Sequence, residues 1–480
     1  MEEKKLPPVV WAFVPLLILV ALLVCVISAF GSDALSGASQ IALLTTSACC
    51  IVIGMVLKTM HWEDFERAVN ENVSGVSQAI LILLLIGAVG GSWMVSGIVP
   101  TMIYYGMQII NPHCFLVSSC LICAVVSVIT GSSWTTIATI GIALLGIGKA
   151  QGFGEGWIAG AIVSGAYFGD KISPMSETTV LASSTTGTPL FTHIRYMTYT
   201  TIPAFIVGLV VFTVAGLLFR QDAAQNIVEF SDGLSRVFVI SPWLMVVPLV
   251  TGIMIVRRLP AVVILFCATL LACMAATLVQ TNLVDSISGG DYGLWMNRFR
   301  GVMILVYGST SLETGVPALN ELVATRGMAG MMSTVWLIFC AMIFGASMSA
   351  SGMIESIMRM FIRRARTTFS LVASTVGVGL FMNIVCADQY LSLILTGNMF
   401  KDVYKRMGYE SRLLSRTTED AVTVTSVLIP WNSCGMTQSM VLGVSTLVYL
   451  PFCFFNYLSP VMTLVMAATG YKIRRRRTER

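Results

Sequence analysis

Two pairs of segments decide the fold: GSSWTTIATIGIALLGIGKAQGFG (131–154) with SPMSETTVLASSTTG (173–187), and ADQYLSLILTGNMFKDVYKRMGYE (387–410) with IPWNSCGMTQSMVLG (429–443). They align without a gap at an offset of 256 residues. Gly141 then falls on Gly397, Lys149 on Lys405, Gly152 on Gly408, Pro174 on Pro430 and Gly187 on Gly443. Glycine and proline fix backbone conformation, so their coincidence reports shape more than chemistry. The polar runs GSSWTT (131–136) and SPMSETT (173–179) answer ADQYLS (387–392) and IPWNSCG (429–435), each inside otherwise apolar sequence. The chain reads as an internal duplication.

Composition places those runs in a bilayer. Over 480 residues the chain is 56% hydrophobic and 11% charged, with 41 glycines, and its mean hydropathy is +0.83. A helix needs about 20 apolar residues to cross a bilayer, and about ten such stretches occur. They are 9–30, 41–57, 78–98, 113–130, 197–219, 237–256, 261–280, 331–350, 369–386 and 440–470, the last expected to hold two spans joined near Tyr449 to Tyr457. The connections near 220–236 and 281–300 are too short to bury a core, which excludes an inserted soluble domain. The first run is too long for a secretory h-region and follows Glu2 and Glu3, so it reads as a retained span.

The net charge of +5 is concentrated in a few loops and so speaks to orientation. Arg474 to Arg477 place the C-terminus, and with it the N-terminus, in the cytoplasm, with anionic lipid as partner. No basic, aromatic-interleaved surface points to nucleic acid. At the 256-residue offset, Arg363, Arg364, Arg366, Lys401, Lys405, Arg406, Arg412 and Arg474 to Arg477 fall on first-half loops holding only Lys149 and Arg220. Lys58, Arg67 and Arg195 fall on the uncharged positions Thr314, Val323 and Pro451. Equivalent loops then lie on opposite faces, the signature of an inverted repeat. The expected organisation is a first repeat over 1–222, a linker span over 223–260 and a second repeat over 261–480.

Crossing counts sharpen this expectation. The loops near Gln108 and Lys149 are both assigned outside, so 113–148 folds as a re-entrant hairpin with its tip at 131–135. The loops at Arg366 and Lys401 are both inside, giving a second hairpin with its tip at 386–390. Each is followed by a helix broken at a proline, over 173–179 and over 429–435. Irregular backbone survives at membrane depth only where protein covers it or it lines a cavity. The expected fold is thus an all-α polytopic membrane protein, an inverted-repeat secondary transporter with two re-entrant hairpins and two discontinuous helices. Between Arg258 and Met331 the count is off by one crossing, and Gly301 to Leu319, containing Glu313 and Pro317, is the expected place for a half-span or an extra hairpin.

Broken helices expose amides and carbonyls whose partial charges can hold an ion, and inverted-repeat transporters gather such ends near the midplane. The first half offers Ser132, Ser133, Thr135, Ser176, Glu177, Thr178 and Thr179, with Asp170 one turn before the break. The second offers Asp388, Gln389 and Asn432, with Glu419, Asp420, Thr423 and Thr425 on the helix leading to its break. These are oxygen ligands suited to Na+, expected at Glu177, Thr178, Asp388 and Asn432. A single membrane hydroxyl more often bonds its own i−4 carbonyl or a neighbouring helix. Acids are costly in lipid and normally face a cavity or a partner. Local pairing with Lys171 could account for Asp170, and pairing with Arg416 for Glu419.

The twelve cysteines give one CxxC, Cys120 and Cys123, inside an apolar run without a second ligand pair, which reads as helix wall. His61, His113 and His193 lie near predicted span ends and read as interfacial. The 28 methionines fit helix packing in lipid and no cofactor is implied.

The run YFGDKISPMSETTVLASSTTGTPLFTHIRYM (167–197), with DQYL (388–391), LSRTTEDAVTVTSVLIPWNSCG (414–435), LGV (442–444) and RGMAGMMSTVWLIFCAMIFGA (326–346), resembles the NhaC-type Na+/H+ antiporter family. The resemblance implies a secondary transporter of the bacterial inner membrane, not an enzyme, with scaffold and transport domains, an elevator-like homodimer, and Na+ and H+ as transported or coupling ions. Relatives of similar sequence exchange malate for lactate, and amino acids are a further substrate class. Motif positions matching residue by residue are Asp170, Ser173, Ser176, Thr178, Thr179, Asp388, Gln389, Glu419, Asp420, Trp431 and Asn432. Glu177 matches by charge only: the family reads SPLSDTTNLA at this break, so the acid here is one methylene longer and Val180 replaces an amide.

Three functions follow as expectations. The first is Na+/H+ antiport by alternating access, in which one carboxylate, Asp388 or Glu177, binds either ion and competition couples the fluxes. The second is a Na+-coupled carrier or exchanger of a small carboxylate or amino acid, with the organic anion held at Ser132, Ser133 and Asn432. The absence of arginine from the four motifs argues mildly against a dicarboxylate. The third, an intramembrane aspartyl protease using Asp170 and Asp388, needs a glycine where Tyr167 stands and gives duplicated hairpins no role.

Overall fold

The computed structural model describes residues 6–30, 37–218, 223–257, 259–290 and 293–475. Glu2, Glu3, Arg220, Arg258, Arg476 and Arg477, named above, lie outside the described residues. The described chain is helical, its only β pairing being the isolated bridges Thr310 to Thr325 and Tyr409 to Arg475. In chain order the principal helices are α1 (Val9–Phe30), α2 (Ala38–Val56), α3 (Trp62–Val95), α4 (Ile98–Ile109), α5 (Phe115–Thr130), α6 (Ser133–Ala150), α7 (Glu155–Ile172), α8 (Glu177–Thr186) and α9 (Leu190–Leu218). They continue as α10 (Ala223–Val237), α11 (Val246–Val256), α12 (Ala261–Val279), α13 (Thr281–Ile287), α14 (Leu294–Tyr307), α15 (Pro317–Val323), α16 (Gly327–Ala350), α17 (Met353–Arg364), α18 (Thr368–Val385), α19 (Gln389–Arg406), α20 (Ser411–Thr418), α21 (Ser433–Leu442) and α22 (Phe454–Thr469). Among the described residues nine helices are long and apolar enough to cross a membrane, or up to eleven if each of two bent pairs is one span. The protein is a multi-pass membrane protein.

Helix boundaries recur at the offset read from the sequence. The first residues of α6, α7, α8 and α9 are Ser133, Glu155, Glu177 and Leu190, and helices begin 256 positions later at Gln389, Ser411, Ser433 and Thr446. Left-handed backbone recurs as well: Gly131 (φ 68°) with Ala387 (φ 52°), Gly152 (82°) with Gly408 (78°), and Gly187 (72°) with Gly443 (65°). At Gly131 a Cβ would also lie 2.7 Å from the Met175 carbonyl carbon, so that hairpin tip requires glycine twice over.

α7 is the axis of the first half. It carries Glu155, Asp170 and Lys171 and is almost wholly buried. It is too polar to face lipid and is wrapped by neighbours instead. Small residues let those neighbours come close. A Cβ on Gly165 would lie 2.0 Å from the Cys120 carbonyl oxygen, and one on Gly169 2.4 Å from that of Ala124, both on α5. Gly156 and Gly160 give the same clearance to the Val448 and Phe452 carbonyls. The second-half counterpart, 411–428, is interrupted by a π turn at Glu419–Thr423 before the break, a distortion that loosens the backbone ladder where polar side chains gather.

Three sequence expectations change. The run 440–470 holds the end of α21 and one unit, Thr446–Phe452 with α22, bent by 54°, where two spans were expected; Pro451 in the 3-10 turn Leu450–Phe452 supplies the bend. Between Thr281 and Arg326 no membrane-length helix forms. The segment Gly301 to Leu319 contains the end of α14, an extended stretch bridged through Thr310 to Thr325, and the start of α15. Pro317 sits in the first turn of α15, where its missing N–H costs nothing, and exposed Glu313 accepts from Asn320 (2.9 Å). His61 and His113 are exposed, but His193 is fully buried with Nδ1 2.8 Å from Ser415 Oγ, and the interfacial expectation fails there because the face of α9 carrying His193, Tyr196, Met197 and Thr200 packs inward.

Candidate functional site

The first hairpin tip and the first break meet at one carboxylate. Gly131 turns the chain, and Ser132 caps α6 by accepting from Thr135 N (3.2 Å). Across from it, Ser176 caps α8, with Thr179 N at 3.4 Å. Asp170, in the last turn of α7, joins the two. Its Oδ2 accepts from Ser133 N (3.2 Å) and Ser133 Oγ (2.6 Å), and its Oδ1 from Ser176 Oγ (2.6 Å), which lies 2.9 Å from Thr178 Oγ1. Thr179 Oγ1 ties the start of α8 back to the Lys171 carbonyl (2.9 Å). The N-terminus of α6 favours a negative group at this point.

The second half repeats the scaffold with the polar groups exchanged. Asp388 caps α19, accepting from Leu391 N (2.9 Å) and from Ser433 Oγ (3.2 Å); its counterpart at the offset is Ser132. Gln389 Oε1 accepts from Ser426 Oγ (3.1 Å) and Cys434 Sγ (2.6 Å), which makes Gln389 and Ser426 the counterparts of Ser133 and Asp170. Asn432 Oδ1 caps the second break through Cys434 N (3.0 Å), and its Nδ2 donates to Asn383 O (3.0 Å). Behind both tips the same bond recurs: Ser127 Oγ to Ala166 O (2.6 Å), and Asn383 Nδ2 to Val422 O (2.7 Å).

A cavity of about 610 Å³ opens onto the first junction. Ser132, Thr135, Asp170, Glu177 and Thr178 line it, and Gln389 and Tyr390 of the second hairpin complete it. Exposed Glu177 accepts from Tyr390 Oη (2.9 Å), a contact between residues 213 apart in sequence. Gln78 and Ile82 of α3 also line it, with Ile255, Leu259, Pro260, Ala261 and Ile264. Asp388, Asn432, Glu419, Asp420 and Thr423 do not line it. Of the expected Na+ group, Glu177 and Thr178 reach the cavity while Asp388 and Asn432 are committed to helix caps.

Behind the cavity lies a buried polar layer. Lys171 does not pair with Asp170. Its ammonium bonds Asp420 of the second half and Ser459 Oγ (2.7 Å), with both charged side chains fully buried. Asp420 also accepts from Ser459 (2.8 Å), Thr200 (3.3 Å) and Thr463. Arg416 does not pair with Glu419 either. Its guanidinium stacks 4.6 Å over the Tyr196 ring, and among the described residues no hydrogen bond of good geometry reaches either Glu419 oxygen or Thr423 Oγ1, although all are buried. Tyr390, Thr200, Ser459 and Thr463 were not singled out in the sequence, and Lys171 entered only as a local partner for Asp170; the one available signal was a lysine inside an apolar run, whose partner lies 249 positions away.

The Na+/H+ antiporter family model matches residues 165–471, which contain both breaks and the second hairpin. The Na(+)/H(+) antiporter NhaC of Alkalihalophilus pseudofirmus is 35% identical over 431 residues, 90% of each chain. The chain belongs to this Na+/H+ antiporter family. Within the same similarity range, the malate-2H(+)/Na(+)-lactate antiporter of Bacillus subtilis is 33% identical over 90% of this chain and 89% of its own. The arginine/ornithine antiporter ArcD of Halobacterium salinarum is 30% identical over 98% and 94%. The relatives thus include proteins named for inorganic ions and proteins named for organic solutes.

Proposed function

We propose that the protein is a secondary active Na+/H+ antiporter and that Asp170 and its neighbours form the ion site. The observation that carries this reading is the buried Asp170 carboxylate, shared by a hairpin tip and a helix break and opening onto a cavity that residues of both halves line. Such a carboxylate can hold Na+ with the Ser133, Ser176 and Thr178 hydroxyls as further oxygen ligands, or hold a proton, and exclusive occupancy couples the two fluxes. Glu177 at the mouth attracts cations, and Asp388, Gln389, Glu419, Asp420, Thr423 and Asn432 position the second hairpin and break.

The recurrence of boundaries, left-handed turns and hydrogen bonds at one offset supports two repeats, and the charge distribution supports their inversion, with hairpins entering from opposite faces. An elevator-like homodimer in the bacterial inner membrane with cytoplasmic termini is the assembly we infer. The second reading, exchange of an organic solute, is favoured by the cavity volume, which far exceeds that of a bare ion.

The test is a reconstitution: proteoliposomes given an inward Na+ gradient, with a pH dye in the lumen. Na+-driven proton release that disappears in Asp170→Asn supports the ion site. Wild-type flux in that variant removes Asp170 from it, and silence of the wild-type protein until an organic solute is added favours the second reading.

A further inference from the structure

An inorganic ion needs oxygen ligands and little else, yet this cavity is built like a site for an organic molecule. Sites for small organic solutes are typically about 300–1,000 Å³, largely apolar, with a few convergent polar groups. Here the volume is about 610 Å³, and Ile82, Ile255, Leu259 and Ile264 supply apolar lining, with Gln78 beside Ile82 on α3. The polar side is acidic. Asp170 and Glu177 both line it and lie close enough to interact electrostatically. Among the described residues that line it there is no lysine, arginine or histidine. An anionic solute would meet two carboxylates with no counter-charge from the described lining residues, an arrangement that repels it.

A second observation comes from the other half. Gln389 is only 4% exposed, and its Oε1 is engaged by Ser426 and Cys434. That fixes the amide orientation and leaves Nε2, without a partner among the described residues, on the cavity wall. It is a pre-oriented donor in a residue that lines the same cavity as the two acids. The rings of Trp134 and Tyr390, also on the wall, suit a cation further.

We propose that the cavity takes a small organic cation bearing a primary ammonium group beside a hydrogen-bond acceptor, the amino-alcohol class. The ammonium rests between Asp170 and Glu177, the hydroxyl oxygen accepts from Gln389 Nε2, and the carbon skeleton lies on the Ile82 and Ile255 wall. The inference rests on the reading of this cavity as the transport site, and it names an organic solute other than the carboxylates.

The experiment uses the purified full-length chain in detergent at fixed pH and ionic strength, with ethanolamine, propylamine, lactate and malate as probes and binding measured by titration calorimetry and by the thermal midpoint. Ethanolamine is expected to bind saturably and more tightly than propylamine, with no saturable signal from lactate or malate. Glu177→Gln should weaken both amines about tenfold or more, the loss expected for one charge-assisted hydrogen bond. Gln389→Leu should abolish the preference for ethanolamine while sparing propylamine. Because Gln389→Leu also removes the Ser426 and Cys434 contacts, its melting midpoint is measured alongside, and Glu177→Gln, which leaves those contacts intact, decides the proposal where Gln389→Leu fails to fold. Saturable binding of lactate or malate without the amines, or ethanolamine binding unchanged in Glu177→Gln, overturns the proposal. Na+/H+ exchange is measured after the same preparation is reconstituted into proteoliposomes. Exchange that persists without amine binding refutes only the organic-cation inference, whereas loss of both refutes the cavity as a transport site.

Discussion

Replacing Lys171 by methionine tests the buried layer that joins the two halves. Lys171 and Asp420 are fully buried, and among the described residues each is the only opposite charge the other contacts directly. In Lys171→Met the Asp420 carboxylate keeps the hydroxyls of Ser459, Thr200 and Thr463 but loses its counter-charge. Removing one partner of a buried pair costs about 3–5 kcal/mol, because the remaining charge stays desolvated; replacing both partners by apolar groups is often neutral. Lys171→Met alone should therefore lower stability by about that amount, and Lys171→Met with Asp420→Leu should recover most of it. Taking roughly 2 °C per kcal/mol for a large chain, the single variant loses several degrees of thermal midpoint. The assay is intrinsic-fluorescence melting of detergent-purified protein, with size-exclusion monodispersity as control, for wild type, both single variants and the double. A single variant within about 1 °C of wild type, or a double that falls by the sum of the singles, refutes the ion pair as a coupled unit.

Other outcomes follow from the same geometry. Asp170→Asn should abolish Na+-driven proton flux while the protein stays monodisperse, since the amide keeps an acceptor for Ser133 but cannot exchange H+ for Na+; flux in proteoliposomes checks it. Asp388→Asn should retain measurable exchange because an asparagine still caps α19 through Leu391 N, and complete loss of flux with an unchanged melting midpoint would return Asp388 to the ion site. Gly165→Ala should reduce folded yield sharply, since the new Cβ would sit 2.0 Å from the Cys120 carbonyl oxygen, whereas Gly154→Ala, where nothing lies within 4 Å, should be tolerated; fluorescence size-exclusion profiles compare the two. Tyr390→Phe removes the donor to Glu177 and should lower apparent Na+ affinity without altering the melting midpoint, as read from the Na+ dependence of the dye signal.

Much of the backbone plan was legible because glycine and proline constrain conformation regardless of neighbours. Gly131, Gly152 and Gly187 mark left-handed turns, Ser132 and Ser176 mark caps, and the helices between them start where the offset placed them. Side-chain partners were less legible. Lys171 follows Asp170, and proximity in sequence proposed them as a pair, yet consecutive helical residues point about 100° apart, so Lys171 turns inward to Asp420 while Asp170 turns to the hairpin tip. Arg416 and Glu419 have the spacing of a helical pair, but Tyr196 offers the guanidinium an aromatic face and the π turn at Glu419–Thr423 changes the register beyond it.

What the sequence by itself determined is local: which segments are apolar enough to span, where the chain must turn or break, and that two segments of the chain follow the same plan. Those properties reside in each residue's own torsions and transfer energy. The tertiary structure alone decided which acid faces the cavity and which caps a helix, that Tyr390 reaches Glu177, and that Lys171 and Asp420 neutralise one another across 249 residues. A polar group buried in a membrane protein must find a partner wherever the packed helices bring one, and that choice is made by the whole fold.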